Sequence, residues 1–418
     1  MQRRKFIKHS AITGASLLAG RGGQFASAQP ATQAMGALSD HRIEKIQWFW
    51  RQDRFQRNVG PNSFMDHASG WGGAYDVRLI TTNQGARGWA MAYGKKNDEY
   101  YSRYLGVNVA DLFDPSVGLI EPGAQRLDIA LHDLAGNILG QPVWRMIGGK
   151  GPRQLPIYSG AIYFEDVIPT EQPRGIEAVL NACRKDYALG YRYFKLKIGR
   201  GLKWMNRRAG LKRDIDVTKA VNETFPDCRI LVDANDAYTV DEAIEYVIAT
   251  ADCNLYWLEE LFRENASDLM RLREAMDKAG SKALIADGEK RYDAADPPTR
   301  WGGYTEHFVA DLVELCEAKL VDVLLLDPGI MGFTRYRKNM AYFAERRILT
   351  SPHTWAWSPR PFYAATLGAG LGNVVIVEGI PAVAKGTDYS DYEIQNGNII
   401  MSDEPGIGLK LERLEGEG

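Results

Sequence analysis

Cysteine is scarce. The chain has four in 418 residues, Cys183, Cys228, Cys253 and Cys316, and they are scattered. They lack the paired spacing that a sulfur metal site or a disulfide framework requires, so they read as isolated buried thiols. Charge of one sign is also lacking. A formal net charge of −2 leaves no basic excess and argues against nucleic acid as the main partner. No apolar run is long enough for a stable membrane span. What remains is the composition of a soluble globular protein, 45% hydrophobic and 25% charged. Its length suits a barrel with additions, or one large domain plus a smaller one.

The N-terminus carries a different pattern. "MQRRKFIKHSAITGASLLAG" places Arg3 and Arg4 side by side, followed by Phe6, Lys8 and a mildly apolar stretch. Ala26-Ser27-Ala28 supplies small residues for cleavage. Residues 1–28 resemble a twin-arginine signal peptide, which implies a periplasmic or otherwise exported mature protein. That pathway carries folded proteins, which suits a chain loaded with a cofactor beforehand.

Residues 41–153 read as a small α+β unit. "IEKIQWFW" alternates like a strand, "AYDVRLITTNQGARGWAMAY" like a hairpin turning near Asn83 and Gly85, and Leu127, Ala130, Leu131, Leu134 and Ile138 mark one face of a helix. From about residue 155 the pattern changes to eight short apolar runs separated by helical segments: 155–160, 193–199, 229–235, 255–260, 283–289, 321–327, 347–353 and 373–379. Buried parallel strands have this near-continuous apolar character, and the spacing fits successive βα units.

Polar residues interrupt these runs at their C-terminal ends: Lys195 and Lys197, Asp233 and Asn235, Glu259 and Glu260, Glu289, Asp327, His353 and Glu378. In a parallel β/α barrel those ends converge on one face, where active sites are built. Taken alone, "YFKLKIG" would have two ordinary surface lysines. In a closed barrel they need anionic partners. Asp233, Glu259 and Glu289 form an oxygen-only set suited to Mg2+, and without a cation they would repel one another. Asp327 and His353 follow on the next two strands; a carboxylate bound to one imidazole nitrogen leaves the other for proton transfer. His132 reads as a packed or capping residue, His307 as a loop residue, and Asp322, at a strand start, as structural.

The ordered set is similar to the enolase superfamily, specifically the mandelate racemase subgroup of the mandelate racemase/muconate lactonizing enzyme family. "LDIALHDLAGNILGQPVWRMIGG", "KLK", "VDAN", "WLEE", "ADGE", "LLLDPGIMGFT", "SPHTW" and "VEG" carry the resemblance over nearly all of the mature chain. It implies a (β/α)7β TIM-like barrel over 154–380, an α+β capping and lid domain over 41–153, and a C-terminal segment, 381–418, packing back on the capping domain. It also implies Mg2+ on Asp233, Glu259 and Glu289, with Asp287 as an alternative third ligand because some members place an aspartate there. Lys197 is the implied base on one face of the substrate and His353, oriented by Asp327, serves the other. Lys195 binds the substrate carboxylate, which Glu378 hydrogen-bonds at the far rim. The expected substrate or lid contacts are Asn235, Arg51, Arg54, Arg57, Tyr158 and Trp355. The sequence departs from the family pattern at Glu259-Glu260-Leu261 and at Gly332-Phe333.

The shared chemistry is removal of the proton α to a carboxylate, through an enediolate. Dehydration of a sugar acid (an aldonate or aldarate) is the favoured outcome, since the subgroup is rich in such enzymes and the basic segment 50–73 suits a polyhydroxylated substrate. The alternatives are racemisation or epimerisation of a 2-hydroxy acid, and lactone cycloisomerisation. A non-catalytic sugar-acid binding protein is a further class, but it would not need metal ligands and two acid/base groups. The expected partners are a small carboxylate and further copies of the chain in a homo-oligomer, with no nucleic acid and no membrane in the mature form. The export reading predicts that Arg3→Lys with Arg4→Lys leaves folded precursor inside the cell, measured by fractionation. Undiminished export of that variant contradicts it.

Overall fold

Parallel pairing organises the larger part of the molecule. In the computed structural model, which describes residues 31–92, 97–168, 174–289, 310–355 and 357–412, eight strands follow in order: Gln154–Ile162, Tyr193–Lys197, Arg229–Asp233, Leu255–Glu259, Leu284–Asp287, Val323–Leu324, Leu349–Thr350 and Val377–Gly379. The helices Ile176–Ala188, Arg207–Thr224, Val240–Ala249, Ala266–Ala279, Ala310–Glu317, Pro328–Glu345 and Arg360–Leu371 alternate with them. The last strand pairs with the first, Val377 with Ile157 and Glu378 with Tyr158. A parallel bridge from Thr350 to Val374 closes the remaining gap. The result is a (β/α)7β barrel built on the eight apolar runs.

Side-chain alternation then sorts the strands into two surfaces. Tyr158, Leu231, Trp257, Ala286, Val323, Leu325 and Ile376 fill the barrel interior. Phe194, Leu196, Ile230 and Val232 point outward and join the larger core under the helices. Burying these apolar chains stabilises the barrel by about 1.5–3 kcal/mol each. Within such an interior, any charge must be paired.

The capping unit is a four-stranded antiparallel sheet in which Ala382–Ala384, Ile43–Phe55, Ala74–Thr82 and Arg87–Met91 are neighbours in that order. Its helix Asp128–Leu139 is tied to the capping sheet, the C-terminal segment and the barrel. Asp133 accepts from Trp89 N at 2.8 Å and from Ile407 N at 2.7 Å. Asp128 accepts from Thr334 N at 2.9 Å and Thr334 Oγ1 at 2.7 Å on the barrel side. Gly332 adopts φ 72° there, and a Cβ at that position would lie 2.3 Å from Asp128 Oδ2. The close approach therefore needs glycine. Phe333, beside it, packs edge-on to His132 and Tyr363, so this departure from the family pattern sits at the domain junction rather than at the barrel mouth.

Three features differ from the sequence reading. A helix, Ala31–Ser39, precedes the capping sheet. The C-terminal segment has two attachments: Ala382–Ala384 extends the capping sheet, while Asn398–Ile400 pairs antiparallel with Gln154–Pro156 at the start of the first barrel strand. That strand begins with unpaired backbone beyond its parallel neighbours, and a hairpin strand satisfies it. Last, the four cysteines are free, and Cys253 is only partly buried. Residues 1–28 and His307 lie outside the described residues. Among the described residues no helix is long and apolar enough to cross a membrane.

Candidate active site at the barrel mouth

Strand register assembles the site. Lys197 pairs with Asp233, and Asp233 with Glu259, across three adjacent strands. In-register partners of parallel strands share a face, so these three side chains stand at one level. One level deeper, Lys195, Leu231 and Trp257 align in the same way. The two lysines of "KLK" thus occupy successive layers, one above the other, inside the barrel.

Lys195 is buried among acids. Its Nζ lies 3.0 Å from Glu259 Oε1, 3.0 Å from Glu378 Oε1 and 3.5 Å from Asp233 Oδ2. Burial works against its charge, but Glu259 and Glu378 outweigh it and hold its pKa well above the usual lysine value. Lys195 is therefore a fixed cation. Lys197 makes a short contact with Asp233 Oδ2 and donates to Asn235 Oδ1 at 3.0 Å. Asn235 reaches that position with φ 47°, a conformation asparagine tolerates better than most residues.

The acids converge from three successive strands. Asp233, Glu259 and Glu289 each place one carboxylate oxygen within 4.8 Å of the others. Burial, and next the charge of Asp233, pushes the Glu259 carboxyl well above its usual range. Trp257 Nε1 donates to Glu259 Oε2 at 3.1 Å and fixes its orientation. Asp287 faces elsewhere, where burial and then Glu264, Glu260 and Asp236 push its pKa up. Glu289 is thus the third member of the cluster by position. The set is oxygen-only and mutually repulsive, and its repulsion is only partly offset by two lysines, so a divalent cation of the Mg2+ type fits it.

His353 stands on the Glu289 side. Its Nε2 lies 3.0 Å from Glu289 Oε2 and 3.9 Å from Glu378 Oε2, and its Nδ1 lies 3.5 Å from Asp327 Oδ2. Burial lowers its pKa, but Glu289, Glu378 and Asp327 together raise it above the ordinary histidine value. At Asp327 burial opposes charge, yet the Arg360 guanidinium and the His353 ring hold the carboxyl well below the usual range. Glu378 also accepts from Thr354 N at 2.7 Å, which ties the last strand to the loop carrying His353.

Known proteins resemble this chain in sequence and fold. The profile of the family described as "Enolase C-terminal domain-like" matches residues 178–297 and 301–415. The chain belongs to the mandelate racemase/muconate lactonizing enzyme family of the enolase superfamily. It is 35% identical to 3,6-anhydro-alpha-L-galactonate cycloisomerase of Streptomyces coelicolor over 298 residues, covering 68% of each chain. It is 25% identical to arabinonate dehydratase of Saccharolobus solfataricus over 331 residues, covering 76% of this chain and 77% of that protein. Galacturonate dehydratase from a Geobacillus species, solved with D-galacturonate and 5-keto-4-deoxy-D-galacturonate, superposes with a TM-score of 0.78 at 29% identity, covering 89% of this chain and 95% of that one. A mandelate racemase/muconate lactonizing protein from Geobacillus, solved with magnesium and tartrate, gives 0.79 at 28% identity over 90% and 94% of the two chains.

The remaining residues read as contacts in this family member's mouth divide sharply. Asn235 is in the site. Arg51 is not: its Nη1 donates to Trp50 O at 3.0 Å and its Nη2 to Glu412 O at 2.8 Å. Arg57 is committed to Asp186, with Nη2 at 2.8 Å from Oδ2, and to Ala161 O at 2.8 Å. Breaking such a buried pair costs about 3–5 kcal/mol, so its role is to anchor the lid strand. Arg54 is exposed on the outward face of the capping sheet. Tyr158 lies below the mouth, edge-on to Trp257 at 5.3 Å. Trp355 stacks between Phe55 and Tyr163, at 5.8 and 4.8 Å, and so joins the lid to the barrel. His132 is buried against Asp128 and Phe113, and Asp322 accepts from Arg273 and Ile285 N.

Four residues escaped the sequence reading: Asn62, Tyr163, Trp257 and Arg360. Asn62, on the lid, donates to Asn235 Oδ1 at 3.3 Å, and the Tyr163 ring lies 5.3 Å from Lys197 Nζ. Gly60 permits the lid's approach, since a Cβ there would be 2.6 Å from the Phe164 carbonyl carbon. Trp257 alone had a signal, because it precedes Glu259 by two on an inward face. The geometry predicts that Mg2+ at about 100 Kd raises wild-type stability by about 2.7 kcal/mol. Followed by thermal melting, Glu289→Gln should lose that gain and Asp287→Asn should keep it. The opposite pattern would make Asp287 the ligand.

Proposed function

We propose that the protein dehydrates a sugar acid, beginning with removal of the proton α to its carboxylate. The observation that carries this reading is the placement of two proton-transfer groups on either side of one carboxylate cluster, Lys197 against Asp233 and His353 against Glu289. A non-catalytic binder needs neither. The 29% identical galacturonate dehydratase, whose structure holds both a uronate and a 4-deoxy-5-keto acid, supports the same reaction type.

Asp233, Glu259 and Glu289 would hold Mg2+. When bound, the ion would supply positive charge to the substrate carboxylate as the α-carbon loses its proton. The chain's own residues do the rest. Lys195, kept cationic by Glu259 and Glu378, balances charge on the same carboxylate. Lys197 accepts the α-proton, the electron pair of the broken C–H bond is carried on the carboxylate as an enediolate, and it then forms the double bond to the β-carbon as the β-hydroxyl departs. His353 donates the proton that makes the leaving group water, and the resulting enol ketonises to a keto-deoxy acid. Asn62 and the lid it belongs to cover the mouth and exclude bulk water.

A second reading has its own support, because a cycloisomerase is 35% identical to this chain. There the departing oxygen belongs to a ring of the substrate itself, and no water is lost. The two readings share every residue up to the departure step. We also infer, from Arg3, Arg4 and the following apolar stretch, that this chemistry takes place outside the cytoplasm.

The reaction is tested by incubating a panel of aldonates, aldarates and uronates, D-galacturonate included, with enzyme and Mg2+, and measuring keto-deoxy acid. Lys197→Met and His353→Asn should each lower turnover by about 100- to 10,000-fold, the usual worth of a general acid or base, while leaving the chain folded. Release of an isomer without loss of water would select the second reading. Full activity of both variants would remove these residues from the chemistry.

A further inference from the structure

Asp327 has more partners than a two-membered acid–base pair requires. Its Oδ1 accepts from Gly329 N at 2.7 Å, capping the short first part of Pro328–Glu345, ahead of the kink at Gly332. Its Oδ2 faces His353 Nδ1 at 3.5 Å and also receives Nη2 of Arg360 in a short contact. The same guanidinium donates through Nη1 to Trp355 O at 2.6 Å and through Nη2 to His353 O at 3.3 Å. One planar group therefore joins the carboxylate of one loop to the main chain of the loop that carries the imidazole.

The location of Arg360 is otherwise unfavourable. It opens the helix Arg360–Leu371, between Pro359 and Pro361. A cation at a helix N-terminus opposes the helix dipole, so the helix provides no reason for an arginine there. The residue is buried, 6% exposed, although long cations are seldom buried without a dedicated partner. Its acceptors account for both facts. They lie in a fan that matches the guanidinium fork and that a lysine ammonium cannot span.

We propose that Arg360 is the positioning residue of the Asp327–His353 pair, holding it as a three-membered unit. With Oδ1 held by Gly329 and Oδ2 by Arg360, the Asp327 carboxylate cannot rotate. With the carbonyls of His353 and Trp355 bound to the same group, the imidazole cannot drift from it. The ring is thereby set to direct Nδ1–H at Asp327 and to present Nε2 to the barrel mouth. Because Trp355 also stacks on Phe55 of the capping strand, the clamp connects the lid's docking point with the acid–base group. The kinetic part of this inference rests on His353 acting on substrate, as argued above. The structural part does not.

The test uses the full-length mature protein with Mg2+ and no substrate. Imidazole 15N shifts of His353 are recorded above its titration in wild type, Arg360→Gln and Arg360→Lys. Wild type should show one tautomer with the proton on Nδ1, and Arg360→Gln a mixture. In turnover, Arg360→Gln should lower kcat by about 10- to 100-fold, the range for losing a group that orients a reacting imidazole. KM should move by less than about threefold, with Arg360→Lys in between. If Arg360→Gln does not fold, Arg360→Lys carries both readouts. An unchanged tautomer in the folded variants overturns the proposal, as does wild-type kcat. If the tautomer shifts as expected but no protein, wild type included, converts any sugar acid, the positioning role stands and the dehydratase reading falls.

Discussion

Charge pairing inside a dry barrel mouth is the constraint on which the rest of the structure depends. Lys195 sits within 3.0–3.5 Å of three carboxylates, deep enough that neither sign would persist without the other. Removing either lysine would leave acids facing acids, and removing an acid would strand an ammonium group. The register of the second, third and fourth barrel strands has to be right to the residue for these groups to meet. A slip of one residue would turn Lys195 and Lys197 into the helix layer and bring Phe194 and Leu196 into the mouth.

The capping domain is built to serve that mouth. Asp128 ties its main helix to Thr334 just past the Asp327 loop. Ser358 N donates to Asp53 at 2.7 Å, and Phe55 stacks on Trp355. Both contacts reach the loop between His353 and Arg360, so the lid strand and the acid–base group share one support. On the opposite side, Asn62 of the lid meets Asn235, which in turn accepts from Lys197. The lid thus touches the surroundings of both proton-transfer groups. Its docking and their alignment are parts of the same packing.

Much of this was legible in the sequence, for a physical reason. Buried parallel strands must be apolar throughout, so a charged residue at a strand end stands out, and eight such runs in order specify a barrel with one functional face. The carboxylates and the lysines were visible for that reason. Arg51 and Arg57 are not legible from residue type alone, because the direction of each side chain decides what it meets. Arg51, Asp53, Phe55 and Arg57 alternate with exposed residues and are all buried. The period of two that places Phe55 in the core places Arg51 and Arg57 there too. Arg360 had no such signal. It lies in a proline-flanked helix start far along the chain from Asp327, and only the fold brings the two together. Tyr158 was placed at the mouth by its strand but not by its depth, since it stands level with the interior layer beneath the lysines.

The central claim is that this constellation removes a proton from the carbon next to a carboxylate with help from a divalent cation. The most direct measurement is proton NMR of an accepted sugar acid in D2O, following the α-proton of the substrate and deuterium at the neighbouring carbon of the product, with Mg2+ and after exhaustive chelation. The account predicts Mg2+-dependent loss of the α-proton signal with wild-type enzyme and none above background after chelation. Conversion that retains the original α-proton, or exchange that proceeds unchanged without the metal, would contradict it.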